Sequence, residues 1–148
     1  MWSPKVNKNG AYNQYYQNMI ETKVGDIVFS FCDTFIKCIG VITAKAVSAD
    51  KPMEFGKSGD AWDTDGWLVQ VDYQELNNPF KPKHHMDVLA PLLPKQYSPL
   101  QANGDGNQIY LAEIPEPMAA CLLSFIGSQV KVKIEEGQER EIKNRTDI

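Results

Sequence analysis

The chain has 148 residues, of which 43% are hydrophobic and 23% are charged, a composition typical of one globular domain. Its formal charge of −4 is uneven, because residues 1–57 carry seven lysines against five acidic side chains, whereas residues 58–128 carry three against nine. This balance argues against a protein that binds polyanions non-specifically. No apolar run is long enough to span a bilayer and the first residues lack a leader pattern, so we expect no membrane partner.

The three cysteines are an odd number, and each falls in a stretch that we predict to be core. They are Cys32, Cys38 and Cys121. We therefore expect buried free thiols and a cytoplasmic protein, because reducing compartments keep thiols unpaired.

The first ten residues contain Pro4, Asn9 and Gly10, which predict a loop. Trp2 within it has two open interpretations, core packing or a ligand contact. The spacing of the tyrosines from residue 12 to residue 21 predicts a short helix.

Residues 25–43 predict the central hairpin, with strands on either side of Asp33-Thr34. Both faces of the hairpin are apolar, which favours a central position in a sheet. Gly40 indicates a bend or a close backbone approach, and Ser30 is a polar side chain that would donate a hydrogen bond if it faced a pocket.

Residues 44–66 are weakly patterned and predict a long loop, with Trp62 as a candidate for binding. The acidic residues beside Trp62 do not complete a calcium loop. The alternation from Trp67 to Tyr73 predicts one strand that ends at Asn77-Asn78-Pro79. A metal site at His84, His85 and Asp87 is disfavoured, because adjacent histidines diverge and no second ligand cluster follows.

The later elements are a short helix over residues 86–93, a polar loop over residues 97–108 and a strand over residues 109–114. Pro115 opens a helix that ends at Gly127, and residues 130–134 predict one more strand before a charged tail. The glycines of the polar loop lack the spacing of a nucleotide-binding fingerprint. No catalytic constellation is present, so the spacing of residues favours a binding domain over an enzyme.

Several short motifs recur in the same order in one superfamily. The motifs are Trp2-Ser3-Pro4, Asn7, Gly25-Asp26-x-Val28-Phe29-Ser30-Phe31, Gly40-Val41, Trp62, Trp67-Leu68-Val69-x-Val71, Ser98-Pro99-Leu100-Gln101, Tyr110 and Ile114-Pro115. Across residues 2–127 this order resembles the PUA-like superfamily, closest to EVE domains and similar to YTH domains. It also resembles the reader half of EVE–HNH nucleases, which restrict modified DNA.

The resemblance implies an α+β fold, a small mixed β-barrel with short helices around it. It also implies a domain over residues 1–128, with residues 129–148 as an extra strand plus a charged tail or linker. Its implied function is a reader of a flipped, modified base, in DNA rather than RNA, without a cofactor and without activity of its own. An HNH nuclease would come from a fused or partner chain.

By the same resemblance, two sets of residues would contact the nucleic acid. The base pocket would be formed by Trp2, Ser3, Asn7, Ser30, Phe31 and Trp62. The phosphates would be contacted by Lys5, Lys8, Lys57, Asn107 and Gln108. The alternative is a small-molecule or protein-interaction module that uses the same cavity, an interpretation that the acidity of residues 58–128 favours.

The family's usual first strand has no counterpart before Met1, and no HNH signature follows residue 127. Because an open strand edge exposes unpaired backbone groups, we expect residues 130–134 or a second copy of the chain to cover the edge of the hairpin. A homodimer is the preferred of these two expectations.

Overall fold

The computed structural model describes residues 1–52, 65–127 and 146–147, the last pair as backbone only. The structure contains both helices and strands, and five consecutive strands between residues 27 and 80 follow one another with no intervening helix among the described residues, so the predicted α+β class is confirmed. The strands are β1 (Trp2–Pro4), β2 (Ile27–Cys32), β3 (Phe35–Ile42), β4 (Val47–Asp50), β5 (Asp65–Leu68), β6 (Val71–Phe80) and β7 (Thr146–Asp147). The α-helices are α1 (Gln14–Glu21), α2 (Met86–Leu89) and α3 (Glu116–Ile126), with 3-10 turns at Pro82–His85 and Ala90–Leu92.

The described strands form two sheets, one in the order β1-β5-β4 and one in the order β6-β3-β2-β7. The hairpin β2–β3 occupies the centre of the larger sheet, and both of its faces are buried, as the sequence predicts. Phe29 packs in the cluster that includes α3, whereas Val28, the preceding residue, packs in a second cluster with Met19 of α1.

The turn of this hairpin has an uncommon backbone conformation. Asp33 and Thr34 have φ angles of 51° and 72°, and β3 begins at the next residue, Phe35. Two consecutive positive φ angles define a type I′ turn, whose twist matches that of the flanking strands. The turn sets the register that pairs Cys32 with Phe35.

Gly40 confirms the predicted close approach. A Cβ at this position would lie 2.5 Å from Cγ1 of Val71 and 2.9 Å from Cδ1 of Tyr73. Strand β6 therefore crosses β3 at a point where only glycine leaves room, and Tyr73 is paired directly with Gly40.

Helix α1 begins later than Tyr12, because Asn13 caps it. The Asn13 Oδ1 accepts hydrogen bonds from the backbone N–H groups of Tyr15 and Tyr16, at 2.9 and 3.3 Å. An asparagine in extended conformation at this position satisfies the donors that the first turn leaves unpaired.

Helix α3 follows Pro115 and ends at Gly127, as predicted, although Pro115 is the N-cap residue and not the first helical residue.

Three predictions for the part of the chain before residue 81 are wrong. Residues 67–73 are not one strand but the end of β5 and the start of β6, and β6 continues through Pro79 to Phe80. The first residues are not all loop, because β1 pairs with β5. The predicted loop over residues 44–66 contains β4, which pairs with the other edge of β5. These short strands depend on partners distant in sequence, which local periodicity does not reveal.

Residues 109–114 were predicted to be a strand but form none in the described structure. The predicted helix over residues 86–93 is α2 followed by a 3-10 turn. The expectation of buried thiols is also wrong, since Cys32 is exposed while Cys38 and Cys121 are partly exposed. Cys32 adjoins the hairpin turn, whose residues Asp33 and Thr34 are also exposed.

Among the described residues, two cover part of the outer edge of β2. Ile27 pairs with Thr146 and Val28 with Asp147, in parallel, and no other described strand lies on this side of β2. The expected covering strand at residues 130–134 lies outside the described residues. Within the described part of the chain, no helix is long and apolar enough to cross a bilayer.

Candidate functional site

A cavity of about 240 Å³ opens beside the central hairpin. Its walls are β2, β6, α3 and residues 98–111. The volume lies below the range of about 300–1,000 Å³ that is usual for drug-sized ligands. The cavity therefore suits a small group, such as a single ring system, better than a large ligand.

The floor of the cavity is apolar. It is formed by side chains that are almost completely buried, namely Phe29, Ile36, Leu100, Leu111, Met118 and Leu122. No charged side chain is among the described residues that line it. A ligand that enters would lose its water and gain apolar contact, which favours an uncharged molecule.

Two polar groups interrupt this lining. The Ser30 hydroxyl has no hydrogen-bond partner among the described residues, and Ser30 lines the cavity as expected for a polar side chain on β2. Asn107 lines the opposite side, where its Nδ2 donates to the Ser98 carbonyl oxygen at 2.8 Å. That bond turns the Asn107 Oδ1 away from Ser98, and no described residue donates to it. The cavity therefore offers a hydroxyl and an amide oxygen to a ligand.

Two tyrosines also line the cavity, and the sequence did not mark either as a site residue. The Tyr110 hydroxyl donates to the backbone carbonyl of Trp2, and burial raises the pKa of Tyr110 to about 12. Tyr73 is 44% exposed. The pKa of Tyr73 is raised by the burial of the rest of its side chain and, to a smaller extent, by the neighbouring Cys38. Both phenols therefore stay protonated at neutral pH. The sequence did contain a signal for these two site residues, because a tyrosine in a predicted apolar strand needs a hydrogen-bond partner for its hydroxyl.

Residues 98–107, which we call the closing loop, form one rim of the cavity and are held at several points. Lys83 and Asp105 form an ion pair at 2.9 Å, and this pair holds the pKa of the Asp105 carboxyl below its usual range. Gly104, with φ of 92°, lies against the backbone of Lys83. Gly106 lies against the ring of Phe31. The rim is thus pinned both to the 3-10 turn and to β2.

The residues predicted for the base pocket separate into two groups. Ser30 and Phe31 line the cavity, whereas Trp2, Ser3 and Asn7 do not. Trp2 is 2% exposed, and its Nε1 donates to the Ala49 carbonyl oxygen at 3.0 Å. The structure thus places Trp2 in the core, one of the two interpretations that its sequence position leaves open.

Ser3 and Asn7 take part in local hydrogen bonds. The hydroxyl of Ser3, which is fully buried, donates to the Pro4 carbonyl oxygen at 2.9 Å. The Asn7 Oδ1 accepts from Nδ2 of the helix cap Asn13 at 2.9 Å, so Asn7 orients the start of α1. Trp62 and Lys57 lie outside the described residues.

The predicted phosphate contacts are also dispersed. Lys5 forms an ion pair with Asp65 at 3.0 Å, donates to the Ser48 hydroxyl and lies 4.4 Å from the ring centroid of Trp67. Lys8 is exposed and has no partner among the described residues. Asn107 lines the cavity, and Gln108, which is exposed, does not.

A second groove, of about 380 Å³, lies between α1 and residues 94–97 and 113–115. It is more open than the cavity, and its lining includes the carboxylates Glu21 and Glu113 and the exposed ring of Tyr97. No group of three or more histidine, cysteine or acidic side chains within the described ranges is arranged to hold a metal ion.

Comparison with known proteins adds no assignment. A scan against models of protein families finds no family that matches this chain, and a search of curated proteins finds no match. The cavity and the resemblance of the sequence motifs are therefore the basis on which a function is proposed.

Proposed function

We propose that this chain is a nucleic-acid reader that accepts a flipped, modified base, within a PUA-like fold of the EVE type. The observation that supports this most is the cavity, which combines an apolar floor with the Ser30 hydroxyl and the Asn107 Oδ1, two polar groups that no other described residue engages. A base is a flat, uncharged ring with polar edges, and its methyl or hydroxymethyl group is small. Such a ligand matches both the volume and the chemistry of the walls.

The energetic argument concerns the cost of extruding a base. Flipping costs a few kcal/mol, and stacking on an aromatic side chain returns ~1–3 kcal/mol per base. Four aromatic side chains line the described cavity. Phe29 is almost completely buried in its floor and the Tyr110 hydroxyl is bound to the Trp2 carbonyl, whereas Phe31 is partly exposed and Tyr73 is half-exposed. Trp2 is already packed in the core, so we assign the stacking contacts to Phe31 and Tyr73.

The candidate substrates are methylated or hydroxymethylated cytosine and N6-methyladenine, in DNA. The motif resemblance adds that the domain would serve a modification-dependent restriction system, in which a fused or partner HNH nuclease cuts the DNA. In this proposal the chain itself has no catalytic role. Lys8 is the phosphate contact that the geometry favours, because it is exposed and no other described residue pairs with it, whereas Lys5 is engaged by Asp65.

The test is a titration of fluorescent DNA duplexes that differ only in one base, either plain or carrying each candidate modification. We expect preferential binding of one modified duplex, and a loss of that preference by about tenfold or more in Ser30→Ala. Gln108→Ala is the matched control, because Gln108 follows Asn107 but does not line the cavity. Equal, weak binding of all duplexes by the folded protein would refute the proposal.

A second candidate is a module that binds a small neutral molecule or a protein segment in the same cavity. It is favoured by the ion pair that engages Lys5 and by the absence of charged side chains from the described lining. Salt dependence separates the two functions. A DNA reader loses affinity steeply between low and high salt because counterions are released, whereas binding of a neutral ligand changes little.

A further inference from the structure

One polar side chain in the lining of the cavity, that of Asn107, is held in a single orientation. The backbone of Asn107 is bonded on both sides, because its N–H donates to the Pro99 carbonyl oxygen and its carbonyl oxygen accepts from the Ile109 N–H, each at 2.9 Å. The side-chain Nδ2 donates to the Ser98 carbonyl oxygen at 2.8 Å. Since a carbonyl oxygen only accepts hydrogen bonds, the reversed amide would set two oxygens against each other. The positions of Nδ2 and Oδ1 are therefore determined by the closing loop itself.

This orientation leaves the oxygen of the amide for the cavity. Asn107 lines the cavity and Ser98 does not, so the nitrogen end of the amide is directed out of the lining. No described residue donates to the Asn107 Oδ1, and no carboxylate among the described lining residues competes with it for a donor. An amide oxygen only accepts, so a ligand that pairs with Oδ1 must bring an N–H or O–H group.

The Ser30 hydroxyl borders the same space. Gly106, the residue before Asn107, lies on the ring of Phe31, the residue after Ser30, so the two polar side chains flank one contact between the closing loop and β2. A hydroxyl donates as well as accepts. Together the two groups match a ligand edge that presents a donor beside an acceptor. In cytosine and adenine, the exocyclic amino group and the neighbouring ring nitrogen form such an edge, and it becomes accessible when the base is flipped.

We infer that Asn107 determines which bases the cavity accepts, because its Oδ1 receives a hydrogen bond from the exocyclic amino group of the flipped base. This inference rests on the proposed reader function and moves Asn107 from the phosphate contacts, where the motif resemblance places it, to the base edge. The amino group is then recognised at Asn107, whereas the modification contacts the apolar floor near Met118 and Leu122. A base without an N–H at this position leaves Oδ1 unpaired in apolar surroundings, and the cavity rejects it.

The experiment titrates the full chain with two matched pairs of fluorescent duplexes. One pair carries a 5-substituted cytosine or the 2-pyrimidinone with the same 5-substituent, which lacks the amino group. The other pair carries N6-methyladenine or N6,N6-dimethyladenine, which lacks the N–H. For the base class that the protein prefers, we expect affinity to fall by about tenfold or more when the donor is removed, since an acceptor is left unpaired. Each analogue pairs more weakly in the duplex and is easier to flip, so flipping does not account for the loss.

Two variants separate a base contact from a structural role. Asn107→Ala has no side-chain acceptor and should bind both members of the preferred pair equally. Asn103→Ala is the matched control, because Asn103 is another asparagine of the closing loop, bonds to Asp105 and does not line the cavity. It should keep the wild-type ratio of affinities. If Asn107→Ala weakened both members alike and left their ratio unchanged, Asn107 would support the loop only, and the inference would be overturned.

The wild-type comparison changes the ligand alone, so the inference remains testable even if Asn107→Ala does not fold. Preferential binding of a modified duplex, with equal affinity for its analogue, would overturn the inference and leave the reader proposal standing. Absence of preference for any modified duplex would refute the reader proposal, and the inference with it.

Discussion

Gly106 of the closing loop lies directly on the ring of Phe31, since a Cβ at position 106 would come within 2.7 Å of Phe31 Cε1. The contact joins the rim of the cavity to the strand that forms its edge. The atom in the way is the end of a side chain, which is able to rotate. At Gly104, two residues earlier, the obstacle is the Cα of Lys83, which is unable to move without moving its backbone.

These two glycines predict contrasting effects of the same substitution. Gly104→Ala should reduce the free energy of unfolding by ~1–3 kcal/mol, because it adds a backbone clash to a positive φ. Gly106→Ala should cost less stability but displace Phe31 and weaken binding in the cavity. Urea denaturation and ligand titration on both variants measure the two effects. A larger stability loss at Gly106 would contradict this account of the loop.

Removal of the Trp2 side chain should destabilise the protein. Trp2→Ala should lower the free energy of unfolding by ~3–5 kcal/mol, because it empties a core position and leaves the Ala49 carbonyl oxygen without its donor. Trp2→Phe, which keeps much of the ring packing, should cost less. Chemical denaturation provides the measurement. If Trp2→Ala left stability unchanged and removed discrimination between modified and plain bases, Trp2 would be a cage wall and not a core residue.

Replacement of Thr34 by glycine should stabilise the protein. A non-glycine residue with φ of 72° costs ~1–2 kcal/mol, and glycine adopts this φ without that cost, although its larger unfolded-state entropy offsets part of the gain. Thr34→Gly should therefore raise the free energy of unfolding by ~0.5–1 kcal/mol. Lys37→Gly, within β3, is the contrasting control and should destabilise the protein. Thermal and urea unfolding curves of the two variants would reveal a wrong sign at either position.

Because of Tyr110, the free energy of unfolding should depend on pH under alkaline conditions. An unfolded tyrosine loses its proton near pH 10, whereas the folded pKa is about 12. Between these values the unfolded state binds fewer protons than the folded state, so stability falls as pH rises. The decline should reach ~2–3 kcal/mol by pH 12.

Tyr110→Phe removes this titration and should flatten that part of the pH profile. At neutral pH the same variant should cost ~1–3 kcal/mol, because the Trp2 carbonyl loses its donor. Spectrophotometric titration of the phenols, together with unfolding at several pH values, provides the measurement. An unchanged alkaline slope in the variant would show that other groups cause it.

Prediction from the sequence succeeded where local chemistry suffices. The hairpin β2–β3 followed from its β-branched and aromatic residues around a polar dipeptide, and both of its faces are buried as their apolar character requires. The end of α3 followed from Gly127, and the close approach at Gly40 from a glycine inside a strand. Each of these signals lies within a few residues of the feature that it determines.

The tertiary structure alone decided the features that depend on distant partners. Strand β1 exists because Trp2–Pro4 meets β5, more than sixty residues later, and the same meeting buries the Trp2 ring. Residues 109–111, which have strand composition, join neither of the described sheets, because composition supplies a preference but no neighbouring strand. The cavity is likewise a product of assembly: Ser30 and Asn107 border one space because the closing loop folds back onto Phe31, a contact that no local pattern encodes.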